Sequence, residues 1–478
     1  MDRALPSRNA LFSCRRAWMK EMGEAQRERF GHSAHEWVVH GKVYDLAPYL
    51  ASHPGGRHWL ELTQGMDVTP LFESHHVDDA KTRAVLGQFY VRDCPNTPPP
   101  ASALRQPLVS PEASVAPQSN KGADGSSPVE ADFSFLDSGF YRSFKRRALG
   151  ALRTAEENSK NKSKRGARGP TMEMRALTWA LLLAWLSALV WCCSARSGSV
   201  PAVVAGILLN ALAGIGHNGM HTAPTWWRWL LDLSLFSSHE WTISHCLSHH
   251  HYPGTQADFE VAAIEPFIYS LYAGPANNAY LPFYFWSVLC ILGPFELLAR
   301  LINIVLRRIQ PWRPEHLLPG AELVLLMLFG RSGAWAGWWR WLTMHVVASV
   351  LLGLQALPLH HSEHAWTDGK APSPRPVDFG LHALRATQDY AISHLPLLAK
   401  LVLFPYNHHR LHHLLPAVDE SRLPLLEGAL LETCQEFGEN YVVYAWTDLA
   451  RGTLRNWFDV GGRKRRAWAL AGEGLKRE

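Results

Sequence analysis

The chain has 478 residues, 47% of them hydrophobic, with 20 Trp, 25 His and a net charge of +5 at pH 7. Its seven Cys include no CxxC pair and, apart from Cys192 and Cys193, are scattered, so neither a disulfide framework nor a zinc knuckle is indicated. The apolar content points to a membrane, the modest charge to a lipid surface rather than nucleic acid, and the surplus of imidazole to bound metal.

Residues 1–30 read as a flexible amino terminus, and Met1–Lys20 lacks the continuous apolar run of a cleaved secretory signal. Residues 31–94, opened by HEWVVHGKVYDLAPYL, carry strand and short-helix signals and predict a small α+β domain. Residues 95–140 contain PNTPPPASALRQPLVSPEASVAPQSNKGADGSSPVE, too rich in Pro, Ser and Gly to bury a core, and predict a disordered tether. Residues 141–175 form a basic juxtamembrane segment.

Ala176–Ala195 is uncharged and long enough to span a bilayer, and after Arg196 so is Ser197–Gly216. The positive-inside rule puts the basic run in the cytosol, so this hairpin returns there at His217. Ala273–Phe295 and Trp341–Leu359 are the next candidate spans, giving about four, whereas Leu323–Gly330 is too short. Under that count Arg300, Arg307 and Arg308 lie on the far face, unless Leu297–Arg308 is a surface helix. Residues 431–478 read as a cytosolic carboxy-terminal tail.

Histidine gathers where the apolar segments end. GHNGMH holds His217 and His221; HEWTISHCLSHHHYPGTQADFE holds His245, His249 and His250, flanked by His239 and His251; FPYNHHRLHHLLPAVD holds His409, His412 and His413. A spacing of three or four residues puts imidazoles on one helix face. Any single cluster reads equally as a polar helix end, with Trp226, Trp227 and Trp241 as interface anchors. Three clusters in one chain favour metal. Eight histidines exceed what one zinc takes and suit two ions, and imidazole leaves iron, zinc, copper and nickel open. LHHSEHAW adds His360, His361 and His364.

HNGMH, HCLSHH and HHRLHHLLP between apolar hairpins resemble the three histidine boxes of the integral-membrane fatty acid desaturase and hydroxylase superfamily, over residues 176–430. The third box is similar to the NxQxxHHLFP form of front-end desaturases, with Asn407 and Pro416 in register and His409 in the place of Gln. Two departures put front-end regiochemistry in question: Asn218 stands where Asp or Glu is common, and the second box has one residue more than HxxHH. EWTISHCLSHH with HHLLPAVD looks most like the cytochrome b5-related proteins. HPGGRHWLELTQGMDVTPLFESHH resembles the haem core of cytochrome b5, which implies axial ligands His53 and His76; His75 is the rival, and family spacing from Phe72 favours His76.

The resemblance implies a multi-domain chain: a small α+β cytochrome b5-like haem domain, then an all-α integral membrane desaturase-like domain of about four transmembrane helices. It implies haem b and two iron ions, the irons on His217, His221, His245, His249, His250, His409, His412 and His413, with His364 favoured over His360 as the ninth ligand. It implies O2 and a lipid acyl chain as substrates, cytochrome b5 reductase as electron donor, and an endoplasmic reticulum membrane with haem and boxes on the cytosolic face; a plastid is the alternative. The expected reaction is insertion of a double bond into an acyl chain. The alternatives are a hydroxylase of the same superfamily, using the same ligands, and an inactive membrane-anchored haem carrier, which the complete set of box histidines disfavours.

Overall fold

Trp37–Val39 (β1) and Lys42–Tyr44 (β2) form a hairpin because β-branched and aromatic residues flank His40 and Gly41, whose φ of 52° and 68° suit a tight two-residue turn. Tyr90–Asp93 (β3) completes an antiparallel sheet of order β1-β2-β3. Three short helices pack beside it: Arg57–Leu62 (α2), Thr69–His75 (α3) and Asp79–Leu86 (α4). The computed structural model describes residues 15–95, 133–158, 168–196, 198–222, 225–255, 257–260, 281–308, 310–367, 377–403 and 406–456. Most of the expected tether, part of the basic run, the start of the Ala273–Phe295 span and the end of the tail lie outside the described residues.

Two expectations change near the amino terminus. Residues 15–30, expected to be flexible, form a helix, Arg15–Phe30 (α1), with Trp18 and Met22 fully buried. Burying a Met side chain contributes roughly 1.5–3 kcal/mol, and the Trp18 indole donates to the Ala257 carbonyl at 3.1 Å. The partners of α1 come from far along the chain, so its charged sequence gave little local sign of it. Phe133–Ser134 (β4), inside the expected tether, pairs in parallel with Val377–Asp378 (β5).

Phe140–Glu157 (α5) buries Phe140, Phe144, Ala148 and Leu152, spaced by four, as one apolar face. That face shares a core with Leu411, Leu414 and Leu430. The basic residues of α5 therefore lie on a helix packed beside the third box.

Three described helices are long and apolar enough to cross a membrane: Met172–Ser194 (α6), Val200–Met220 (α7) and, further along the chain, Ala334–His361. Leu281–Leu301 (α8) has 21 residues, with Pro294 inside it, and Leu318–Phe329 (α9) is too short to span. Ala334–His361 is α10. Arg340 of α10 donates to the carbonyls of Cys192 (2.7 Å) and Ala195 (3.0 Å), satisfying the open carboxy-terminal end of α6. Of the three arginines expected on the far face, Arg300 packs instead towards the second box: it donates to the Leu235 carbonyl at 3.1 Å, and Glu296 on the same helix pairs with Arg15 at 2.8 Å. Both partners adjoin the second box, so the carboxy-terminal end of α8 sits on the box side.

Phe379–Ala386 (α11), His409–Leu414 (α12) and Glu427–Phe437 (α13) finish the box face, together with a parallel pair of Asp389–Ala391 (β6) and Val443–Ala445 (β7). One buried apolar cluster runs from Trp18, Trp37 and Trp59 to Trp241, Tyr252 and Tyr390. The small amino-terminal domain is thus packed directly against the box face.

Candidate haem and metal centres

His53 precedes α2 and His76 follows α3. The ring centres lie 6.3 Å apart, with the ring planes at 69°. Two imidazoles bound about 2 Å from one iron on opposite sides put their ring centres about 6 Å apart, so the pair fits a haem iron. Each Nδ1 is held by a nearby carbonyl, His53 by Gly56 at 3.1 Å and His76 by Phe72 at 2.9 Å, which leaves Nε2 of each free to bind. Burial lowers the pKa of His53 and pushes that of His76 down to about 4, keeping both neutral. The second residue of the glycine pair carries φ 102°, and a Cβ on Gly55 would stand 2.7 Å from the His53 ring. His75 turns away: its ring lies 5.3 Å from Trp59 and 6.1 Å from His221.

The first box ends α7. A Cβ on Gly216 would come within 2.3 Å of the Leu231 backbone, so only glycine admits this close crossing, which sets His217 and His221 in depth. The extra residue of the second box is absorbed as a π-helix over Thr242–His249, whose wider turn lets the His250 amide bond the His245 carbonyl at 2.9 Å. This aligns His245 with His250 and turns His249 the other way. The third box lies on α12, held by Arg410, whose guanidinium bonds the carbonyls of Thr387 (3.0 Å) and Val442 (2.7 Å) and the Gln388 amide (2.6 Å), while its backbone N–H donates to Asp389 (2.8 Å). Asn218 donates to Asp419 at 3.1 Å, tying the first box to the third.

Two groups result. His217, His221, His245, His250 and His412 bring one nitrogen each within 4.8 Å of one another, as do His249, His360, His409 and His413, and all nine are buried. Neighbours in sequence are divided between the groups, His250 from His249 and His412 from His413, which makes the two centres adjacent. Within them Nε2 of His217 lies 2.6 Å from that of His245, and Nε2 of His360 lies 2.6 Å from that of His409. Both nitrogens of His412 and Nδ1 of His221, His250, His409 and His413 are buried with no hydrogen-bond partner among the described residues. Neutral imidazoles whose Nε2 atoms crowd to 2.6–3.1 Å of one another turn their lone pairs inward, which suits a cation at each centre.

The electrostatics agree. Burial, then the neighbouring imidazoles, push His250, His409 and His413 well below the ordinary histidine pKa, as happens for His412, leaving the neutral form that binds metal. Two carboxylates stand behind: Asp258 lies 2.9 Å from His249 Nδ1 and Glu260 2.9 Å from His245 Nδ1. Burial opposes the charge on Glu260, but His245 and His249 outweigh it and hold the carboxyl down to about 2. Burial disfavours protonated His249 too, and Asp258 more than reverses this, raising it. Trp241 stacks on His245 and Tyr406 on His217, walling the five-histidine group.

All eight box histidines named from sequence converge, whereas His364 does not and His360 takes its place. The helix α10 runs unbroken through His361, so His360 still points along the bundle; the chain turns at Ser362 and stacks His364 on Tyr444, ring centres 4.4 Å apart. Asp258 and Glu260 have no role in the sequence reading, although the ADFE that closes the second histidine segment holds both; an acid pair shortly after a histidine run is the signal that points to them. Arg410 and Arg15, whose Nε donates to Ser244 at 2.9 Å, carried no such signal.

Comparison with known proteins agrees with this arrangement. The profile of the fatty acid desaturase family matches residues 194–445, and that of the cytochrome b5-like heme/steroid binding domain matches residues 25–95. A cytochrome b5-related protein of Drosophila melanogaster is 26% identical over 410 residues, covering 84% of this chain and 83% of its own. An acyl-lipid (8-3)-desaturase of Mortierella alpina is 24% identical over 451 residues (85% of this chain, 89% of its own), and a probable Delta(5) fatty acid desaturase C of Dictyostelium discoideum is 23% identical over 465 residues (85% and 87%). With a b5-like domain packed on a helical domain whose histidines form two buried groups, the chain belongs to the fatty acid desaturase family, in its cytochrome b5-fused form.

Proposed function

We propose that the chain is an acyl desaturase: it removes two hydrogens from neighbouring methylenes of a lipid or thioester acyl chain, using O2 and electrons from its own haem. In this reading residues 31–94 bind haem b through His53 and His76, and residues 176–430 hold two irons. His217, His221, His245, His250 and His412 hold one iron; His249, His360, His409 and His413 hold the other. The observation that carries it is the division of nine buried histidines into two adjacent groups. A reduced pair of irons on nitrogen ligands supplies the oxygen activation that C–H cleavage requires, and the haem supplies single electrons.

The chain's own residues do the rest. Asp258 and Glu260 accept the Nδ1–H of His249 and His245, fixing the tautomer that turns Nε2 to the metal. Trp241 and Tyr406 keep water from the five-histidine group. The apolar helices α6, α7 and α10 seat the protein in a membrane, proposed as the endoplasmic reticulum with haem and histidines facing the cytosol. Cytochrome b5 reductase is the electron donor this places within reach.

The test is lipid profiling of cells expressing the wild type beside His412→Ala. An acyl product about two mass units lighter, absent in the variant, is expected; a product about sixteen units heavier would replace desaturation by hydroxylation. No His412-dependent product in cells supplied with a range of acyl lipids, or purified protein without iron, would overturn both.

A further inference from the structure

The helix that carries the haem ligand is also the part of the small domain that meets the boxes. Glu73, His75 and Val77 all face the membrane domain while His76 faces His53. Glu73 is fully buried and gathers His40 (2.6 Å), Arg142 (2.8 Å), Lys145 (3.1 Å) and Arg83 around its carboxylate. Two of these, Arg142 and Lys145, belong to α5. The Tyr141 hydroxyl bridges the Glu73 carbonyl (3.0 Å) and the Leu414 carbonyl (3.2 Å), at the end of the third-box helix. Val77 is buried with Leu411, Leu414 and Leu415. Between these anchors the partly buried His75 ring packs on Trp59 and comes 6.1 Å, centre to centre, from His221 of the five-histidine group; its Nε2 is buried and has no hydrogen-bond partner among the described residues.

We propose that residues 73–77 are a fixed electron-transfer junction, in which His75 connects the His76-bound haem to the five-histidine group through His221, and Glu73 and Val77 hold it in place. One electron crosses: the haem goes from ferrous to ferric, and one iron held by the group goes from ferric to ferrous, with no proton or group transferred. His75 acts through its neighbours and is a positioning residue. The inference rests on the desaturase reading and adds that the haem domain works docked. It need not swing on the segment that joins it to α5, because a buried carboxylate ringed by cations from both domains is costly to pull apart.

The test uses the full-length chain loaded with haem and iron. Under nitrogen the haem is reduced with half a mole of dithionite per haem, one electron in all, and its oxidation is followed by absorbance in the wild type, His75→Ala and His75→Phe, after haem spectrum and iron content are matched. Both variants are expected to slow haem oxidation by roughly tenfold or more, equivalent to at least about 1.4 kcal/mol of barrier, at a wild-type rate independent of protein concentration. If His75→Ala fails to fold, His75→Phe, which keeps the contact with Trp59, decides. Wild-type rates in the variants would overturn the junction and leave the desaturase reading standing; no iron-dependent haem oxidation in the wild type would overturn both. In the metal-free chain, amides of residues 69–77 should exchange slowly, and rapid exchange there in an otherwise protected fold would also overturn the docked junction.

Discussion

The haem pair and the histidine groups ask the same thing of imidazole and obtain it in opposite ways. His53 and His76 sit in one small domain, and each is oriented by a carbonyl three or four residues away. The nine clustered histidines come from the ends of α7 and α10, a π-helical stretch and α12, and two of them are oriented by the carboxylates of Asp258 and Glu260. Local orientation makes the first site a property of its own domain. The second exists only when the whole bundle is assembled.

This contrast is sharpest under deletion of single rings. His53→Ala should abolish the haem Soret band with iron content unchanged, while His360→Ala should lower retained iron with the Soret band intact. His364→Ala should change neither, since its ring lies on Tyr444. Absorbance and elemental analysis of the purified proteins check all three; iron lost from His364→Ala but kept by His360→Ala would reverse that assignment.

Orienting groups come next. Asp258→Asn should weaken iron retention by about 10–100-fold in chelator competition, because the amide no longer holds His249 Nδ1–H as a carboxylate does. An unchanged affinity would mean that His249 is oriented by packing alone. Gly216→Ala should destabilise the bundle by about 1–3 kcal/mol, read as a lower thermal midpoint in detergent, because its Cβ would meet the Leu231 backbone. The haem Soret band, belonging to the other domain, should first respond only as the bundle opens.

The smallest effect belongs to the haem domain alone. Glu36 accepts from Arg92 at 2.6 and 3.0 Å, and this hydrogen bond holds its carboxyl down to about 2. An unfolded Glu titrates near 4.3, so the pair stabilises fully above about pH 5, and the contribution fades as pH falls towards 2. Arg92 is substantially exposed, which keeps the effect under about 1 kcal/mol. Glu36→Gln should flatten the acid limb of the Soret-monitored melting curve; an identical limb would show that the pair contributes nothing.

Much of the site was legible in the chain. The box histidines announce themselves because coordination chemistry demands imidazoles at helical spacing, and the HPGG turn because His53 leaves room only for glycine beside its ring. Length and hydropathy suffice for α6, α7 and α10, since a bilayer imposes a minimum run of apolar residues. The apolar runs therefore pointed to a membrane and the histidine spacing to metal, while haem was implied by the resemblance of the HPGG segment to cytochrome b5. The choice of His360 over His364 turned on where α10 stops, the extra residue of the second box on a π-helical turn, and the order in α1 on partners far along the chain. The division of nine histidines into groups of five and four was likewise left to tertiary structure, as was the meeting of Glu73 with Arg142 and Lys145. Spacing along a chain sets which side chains share a face, but contacts between distant segments depend on how those faces pack, and packing has no local signature.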